Sequence, residues 1–294
     1  MKRKNLISML MSSLMLLPFI FKTYAQDADN PGIQMFENKN YYGAERYFQE
    51  VITRQPENGE AYFYLGRIAE EKREYDRASV QFEKAIEKDP SKADYYAWAG
   101  INYVQLLSEV DFMKQAIYAP KAQKSLEKAV ALDPDHIEAR IWLAGYYANA
   151  PSFAGGSREK AKEQFVKIFA IDPNHKGALL QQGIILISFE EYDEALISFE
   201  KILELQSDYY PAYFHIGRLS QTSERFYPQG ELSLIKFIDK AGEDYASSKD
   251  EAWWYLGQIY QQQDKRIEAR QAFENALSLD PENEDYQKSL KNLL

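Results

Sequence analysis

From residue 61 to residue 90 the chain reads as two amphipathic stretches joined by a short polar break. In the first, Tyr62, Leu65, Ile68 and Ala69 share one helical face, and Gly66 marks a point where another helix can approach closely. In the second, Ala78, Phe82, Ala85 and Ile86 follow the i, i+4, i+7, i+8 spacing of a buried stripe, and Asp89-Pro90 stops it. The spacing predicts a helix pair. The pair then recurs: Gly66 to Gly100, Gly183 to Gly217 and Pro56 to Pro90 are each 34 residues apart. Second-helix signatures return at Ala44/Phe48, Ala122/Leu126/Ala129, Ala161/Phe165/Ile168, Ala195/Phe199/Ile202 and Ala269/Phe273/Ala276. The pattern predicts seven helix pairs over residues 26–281 and a last polar helix over 283–294 as a cap, since each pair leaves apolar surface uncovered until its neighbour stacks on it. Asp89-Pro90-Ser91 and Asp133-Pro134-Asp135 read as stops that also cap the next helix, with Asp94 and Glu138 completing capping boxes.

The period is broken in three places. Pro90 to Pro134 spans 44 residues, and the ten extra ones fall within 106–121, a segment carrying Phe112, Met113, Ile117 and Tyr118. The fourth repeat is 39 residues long, with NAPSFAGGS inserted at 149–157. The sixth puts Gly230 and Leu234 where the others have Ala and Phe, and is lengthened around 239–250. The first repeat begins at Asn30-Pro31-Gly32, which predicts a short first helix.

The repeated residues resemble the tetratricopeptide repeat family: an aromatic, then Leu-Gly, in the first helix; Ala, Phe and Ala in the second; Pro at the end. The fit is fullest at Tyr62, Leu65, Gly66, Ala78, Phe82, Ala85 and Pro90, and again at Trp253, Leu256, Gly257, Tyr260, Ala269, Phe273, Ala276 and Pro281. The resemblance implies an all-α fold, a right-handed α-solenoid of about seven helix pairs. It also implies that the first helices line a concave groove and that the small residues let the two helices of a pair close. The order of insertions looks like that of a group of bacterial envelope proteins of the same family. Family members that bind the C-terminal carboxylates of chaperones use a Lys/Asn/Arg clamp on the groove face; Phe63, Ala97 and Trp98 occupy such places here.

Composition agrees with a folded, helix-rich chain: 294 residues, 45% hydrophobic, 27% charged, with 14 Gly and 11 Pro. Formal charge is −10. Four of the 35 cations (Lys2, Arg3, Lys4, Lys22) lie in the first 25 residues, so the remainder carries 31 against 45 acids, or −14. Such a body argues against nucleic acid or an anionic membrane as partner. The absence of cysteine removes disulfides, thiolate catalysis and thiolate metal ligands. Residues 1–25 read as a secretory signal: a basic start, an apolar run over 6–21 interrupted by Pro18, and Thr23-Tyr24-Ala25 as a small-residue cleavage site. Removal would leave Gln26 first in a mature solenoid domain of residues 26–294, periplasmic or secreted, with no stable membrane insertion.

No catalytic, cofactor or metal signature is found. His136 and His175 follow Asp-Pro at helix starts and read as caps, His215 belongs to no motif, and Asp27-Ala28-Asp29-Asn30-Pro31-Gly32 imitates a calcium loop without the closing Glu. Subtracting packing positions from the first helices leaves an aromatic groove: Phe63, Tyr64 and Arg67 in the second repeat, Trp98 in the third, Trp142 in the fourth, Phe214 and Arg218 in the sixth, and Trp254 and Tyr255 in the seventh. Of the tryptophans, Trp253 alone sits at a packing position. Aromatics and Arg concentrate binding energy at interfaces. The expected function is a non-catalytic scaffold that binds an extended peptide or partner protein in the bacterial cell envelope. The alternative is a glycan- or small-molecule-binding solenoid in which Trp98, Trp142 and Trp254 stack on sugar rings.

Overall fold

The computed structural model describes residues 30–293, and the predicted signal at 1–25 lies outside them. The described chain is all α, and its helices form two compact units, one ending at Pro173 and the other beginning at Asn174. The first unit holds four antiparallel pairs: α1 (Pro31–Glu37) with α2 (Tyr41–Arg54), α3 (Gly59–Glu71) with α4 (Tyr75–Lys88), α5 (Ala93–Glu109) with α6 (Phe112–Leu132), and α7 (Ile137–Asn149) with α8 (Arg158–Ile171). The second holds three: α9 (Lys176–Ser188) with α10 (Tyr192–Leu205), α11 (Tyr210–Ser223) with α12 (Tyr227–Lys240), and α13 (Lys249–Gln262) with α14 (Arg266–Leu279). A single helix, α15 (Glu284–Lys291), packs on the last pair. The seven pairs and the cap are those the period predicts.

Most pairs are keyed by one glycine. A Cβ on Gly66 would fall 2.7 Å from the Phe82 ring, on Gly183 2.4 Å from Phe199, and on Gly257 2.6 Å from Phe273. The glycine therefore seats the large residue of its own pair, which lets the two helices close. The third and sixth repeats keep the same lock with a smaller key: Gly100 faces Leu126 at 2.6 Å and Gly217 faces Leu234 at 2.2 Å. Phe82, Phe199, Phe273, Leu126 and Leu234 are all fully buried.

Turns repeat as faithfully as helices. In five pairs the first helix ends on a non-glycine residue in the left-handed region: Lys39, Arg73, Glu190, Glu224 and Asp264, with φ of 58°, 58°, 62°, 54° and 60°. At Arg73 the turn is closed by Arg73 N–H donating to Glu70 O at 2.8 Å and Glu74 N–H to Ala69 O at 2.8 Å, which satisfies the last carbonyls of α3. The Asp-Pro stops end their helices as expected, but the next helix starts one residue later than predicted: Asp89 Oδ1 accepts from Ser91 N–H, and the N-cap position of α5 is Lys92, which supplies no side-chain acceptor. His136 caps α7 and His175 caps α9, each through Nδ1, accepting from Ala139 N–H at 3.3 Å and Ala178 N–H at 3.0 Å. The short α1 is capped by Asn30 and opens on Pro31, also as expected.

The insertions take different forms. The ten extra residues of the third repeat are helical, lengthening α5 to 17 residues and α6 to 21, with Pro120 inside α6. Tyr103 and Tyr118 stack across this hairpin with ring centroids 5.9 Å apart, while Met113 and Ile117 stay exposed. Residues 149–157 hold one short 3-10 turn, Ser152–Ala154, whose last carbonyl accepts from the Tyr146 hydroxyl at 2.7 Å. Gly156 is required there, because a Cβ would meet Ala150 O at 1.7 Å. The lengthening near 239–250 is a second 3-10 segment, Glu243–Ser248, that leads into α13.

Candidate functional site

In the first unit the first-helix face centres on Arg67 of α3. Its guanidinium carbon lies 3.4 Å from the centroid of the Trp98 ring and 5.1 Å from that of Phe36, with Phe63 at 6.0 Å. Arg67 Nε is 4.0 Å from Glu70 Oε2, and Glu70 Oε1 accepts from Gln105 Nε2 at 3.1 Å. Burial raises the Glu70 carboxyl to about 8 despite the opposing charge of Arg67. Tyr64 stacks in parallel on Phe48 at 5.0 Å, and Phe63 on Tyr95 at 5.0 Å. The aromatic cage that the sequence leaves open is thus filled from within by the chain's own arginine.

In the second unit the corresponding face is carried by α9, α11 and α13. Gln181, His215 and Tyr255 stand two residues before the packing glycines Gly183, Gly217 and Gly257, and Arg218 and Gln258 stand one residue after theirs. His215 is fully buried, its ring parallel to Phe199 at 5.8 Å and edge-on to Phe214 at 5.4 Å. Burial, with the Arg218 charge beside it, lowers the imidazole to about 3. Tyr255 donates its hydroxyl to Glu251 Oε1 at 2.8 Å, and Trp254 donates Nε1–H to Ser289 Oγ of α15 at 2.9 Å.

Exposure divides the predicted groove residues into two sets. Tyr64, Arg67, Arg218 and Trp254 remain half-buried at the surface of the first helices. Phe63, Trp98, Trp142, Phe214 and Tyr255 are buried, with Trp98 at 8% and Trp142 at 4% exposure, and serve as packing between adjacent pairs. Trp253, expected at a packing position, is half-buried against the core of the second unit, so the expectation for the tryptophans fails at Trp98 and Trp142. The cause is that neighbouring repeats supply covering groups, such as Arg67 over Trp98, which no single repeat displays. Gln105 and Gln181 were not singled out in the sequence. The signal for Gln181 is its recurrence with His215 and Tyr255 at one repeat position. Among the described residues no group of three or more His, Cys, Asp or Glu is placed to hold a metal ion, and no helix is long and apolar enough to cross a membrane.

Family models for the tetratricopeptide repeat match residues 36–94, 177–209 and 250–283, the segments in which the glycine faces a phenylalanine. The chain is a tetratricopeptide repeat protein. The architecture is that of a protein-interaction scaffold. The segments that these models leave unmatched include the two repeats with insertions and the one built on Gly217 and Leu234, where the tetratricopeptide pairing survives in geometry after its residues have changed. A solved tetratricopeptide repeat protein from Parabacteroides merdae superposes with a TM-score of 0.65 at 16% identity, covering 89% of this chain and 95% of that one; at such identity the likeness speaks for the fold. A TPR repeat-containing protein of Methanocaldococcus jannaschii is 26% identical over 266 residues, 90% of this chain and 38% of that protein. The peroxisomal targeting signal receptor of Komagataella phaffii is 25% identical over 64% of this chain and 35% of the receptor. The tetratricopeptide chain therefore spans less than two fifths of the length of these curated relatives.

Proposed function

We propose that this tetratricopeptide repeat protein is a non-catalytic scaffold that binds an extended peptide or a partner-protein segment along the exposed parts of its first helices. It takes neither nucleic acid nor a cofactor. It works in the bacterial envelope, periplasmic or secreted, once residues 1–25 are removed. The observation that carries the reading is that Tyr64 in the first unit and Arg218 and Trp254 in the second stay half-buried on these faces while their neighbours are packed away. A targeting-signal receptor among the curated relatives supports peptide recognition. Sugar stacking loses support, because Trp98 is covered by Arg67 and Trp142 is buried.

The test is capture of a partner with the full chain as bait, followed by hydrogen-exchange mapping of the purified pair. Protection should fall on first helices, α9, α11 and α13 of the second unit among them, and Arg218→Ala should weaken binding whereas Lys84→Ala on an outer helix should not. Protection confined to the second helices would refute the reading.

A further inference from the structure

The net charge of −10 conceals an uneven distribution. Residues 112–132 and 151–171, which form α6, most of the second insertion and α8, hold eight cations against three acids, leaving 27 cations against 42 acids for the rest of the chain. The same elements carry some of the most prominent apolar side chains of the first unit: Phe153 is 87% exposed, Met113 80% and Ile117 59%. We propose that this face of the first unit binds reversibly to the surface of an anionic phospholipid bilayer. Its lysines meet the lipid phosphates, and Phe153, Met113 and Ile117 enter the boundary between headgroups and acyl chains. The contact lies on second helices and goes beyond the scaffold reading, which concerns the first.

The residues are arranged for such a contact. On α6, Met113, Ile117, Lys121, Lys124 and Lys128 follow one another at i, i+4, i+8, i+11 and i+15, so they form a single exposed stripe, apolar at its start and basic at its end. The one acid of α6, Glu127, lies off the stripe, where Oε1 accepts from Gln123 Nε2 at 2.9 Å and from the Tyr147 hydroxyl at 2.7 Å. Lys121 is shared with Glu83 at 2.7 Å, whereas Lys114, Lys124 and Lys128 make no hydrogen bond or ion pair among the described residues. The second insertion leans on the same helix: a Cβ on Gly155 would lie 2.5 Å from Gln123 Oε1. Phe153 therefore stands beside α6 on a turn braced by the Tyr146 hydroxyl, with its own ring in solvent. Beyond it, α8 adds four cations to two acids, and one of those acids, Glu163, is already paired with Lys167 at 2.6 Å.

Charge and side-chain type select the occupant. Seven of the eight cations are lysines, which protein interfaces disfavour while enriching arginine. The apolar groups are also dispersed: Gln123, beside which Phe153 stands, is about 9 Å along α6 from Ile117 and about 15 Å from Met113 at the helical rise. A protein partner must match such a surface in shape, whereas lipid phosphates diffuse to meet flexible lysines and acyl chains receive apolar side chains at any spacing. Nucleic acid offers the charge but no apolar layer for Met113 and Ile117. Repulsion from the acidic remainder of the chain is screened beyond about 8–10 Å at physiological salt.

The test is sedimentation of the protein beginning at Gln26, which keeps every described helix, with vesicles of pure phosphatidylcholine or of phosphatidylcholine with about 30% phosphatidylglycerol. The anionic vesicles should bind the protein and release it as salt is raised, and the neutral ones should leave it in solution. Joint replacement Lys114→Gln, Lys124→Gln and Lys128→Gln should weaken binding about a hundredfold, or about fivefold for each lysine. Phe153→Ser should weaken it about tenfold. Arg218→Gln, on the first-helix face of the second unit, should leave it unchanged, and circular dichroism should show the same helical content throughout. Failure to bind anionic vesicles, equal binding to both kinds, or full affinity in the triple variant or in Phe153→Ser overturns the proposal. Polyglutamate or duplex DNA bound with the same lysine dependence, in the absence of vesicle binding, assigns the face to a soluble polyanion and overturns it as well. Each of these results leaves the peptide-binding reading of the first helices standing.

Discussion

His215 offers a quantitative test of the core of the second unit. In the folded chain its ring is neutral, held to about 3 by burial and by Arg218, whereas in the unfolded chain it titrates near 6.5. The unfolded state therefore binds more protons between these values, and the stability that the neutral ring contributes is complete above pH 6.5 and is lost as pH falls toward 3. Applying that linkage to the two pKa values gives a loss of about 2 kcal/mol at pH 5. Replacing the ring with one that cannot charge, His215→Phe, keeps an aromatic side chain on Phe199 and Phe214 and removes the dependence. Urea unfolding of both forms, followed by circular dichroism from pH 7.5 to 4.5, should show the parent losing about 2 kcal/mol more than the variant by pH 5. Every other titrating group is common to the two proteins, so the difference isolates one residue. Parallel pH profiles would mean that His215 is solvated or already paired, and that the burial described here is wrong.

Two glycines should respond to alanine with opposite signs. Gly66→Ala sets a Cβ 2.7 Å from Phe82 and should cost about 1–3 kcal/mol, whereas Gly145→Ala in α7 meets nothing within 4 Å and should stabilise by up to about 1 kcal/mol; a fall in Tm for both would refute the packing scheme. Trp98→Ala and Trp142→Ala should each destabilise by about 3–5 kcal/mol because both rings are buried, and a melting curve unchanged in the double variant would return them to the surface. If residues 1–25 are a cleaved signal, intact mass of the native protein should correspond to a start at Gln26, and a mass that includes them would refute the proposed processing.

Helix pairs, their number and the cap were legible because the helical period and the 34-residue period are both local properties of the chain. Gly66 and Phe82 announce a pair wherever they occur together. The site was less legible, because exposure on a first helix is decided by side chains one repeat away. Trp98 and Trp254 occupy neighbouring kinds of position, yet Arg67 covers the first and α15 only partly covers the second. Capping was misplaced for a similar reason: the Asp-Pro-Ser stop spends its aspartate on closing a turn, leaving α5 to begin at an uncapped lysine. Within the insertions only helical continuity went unread, since Met113 and Ile117 face solvent and break the amphipathic pattern that would have revealed it.

The helix α15 has a consequence for how molecules meet one another. Its inner side covers the last pair, with Tyr286 donating to Asp250 at 3.0 Å and Leu290 and Leu293 against Ala269 and Phe273. Its outer side carries Glu284, Asp285, Lys288 and Lys291, all exposed. A stack of repeats is in principle open-ended, because the face that one pair presents to the next is also the face it could present to another molecule. By covering the apolar face of the last pair and turning Glu284, Asp285, Lys288 and Lys291 outward, α15 replaces a surface on which a further pair could stack with one that holds water instead.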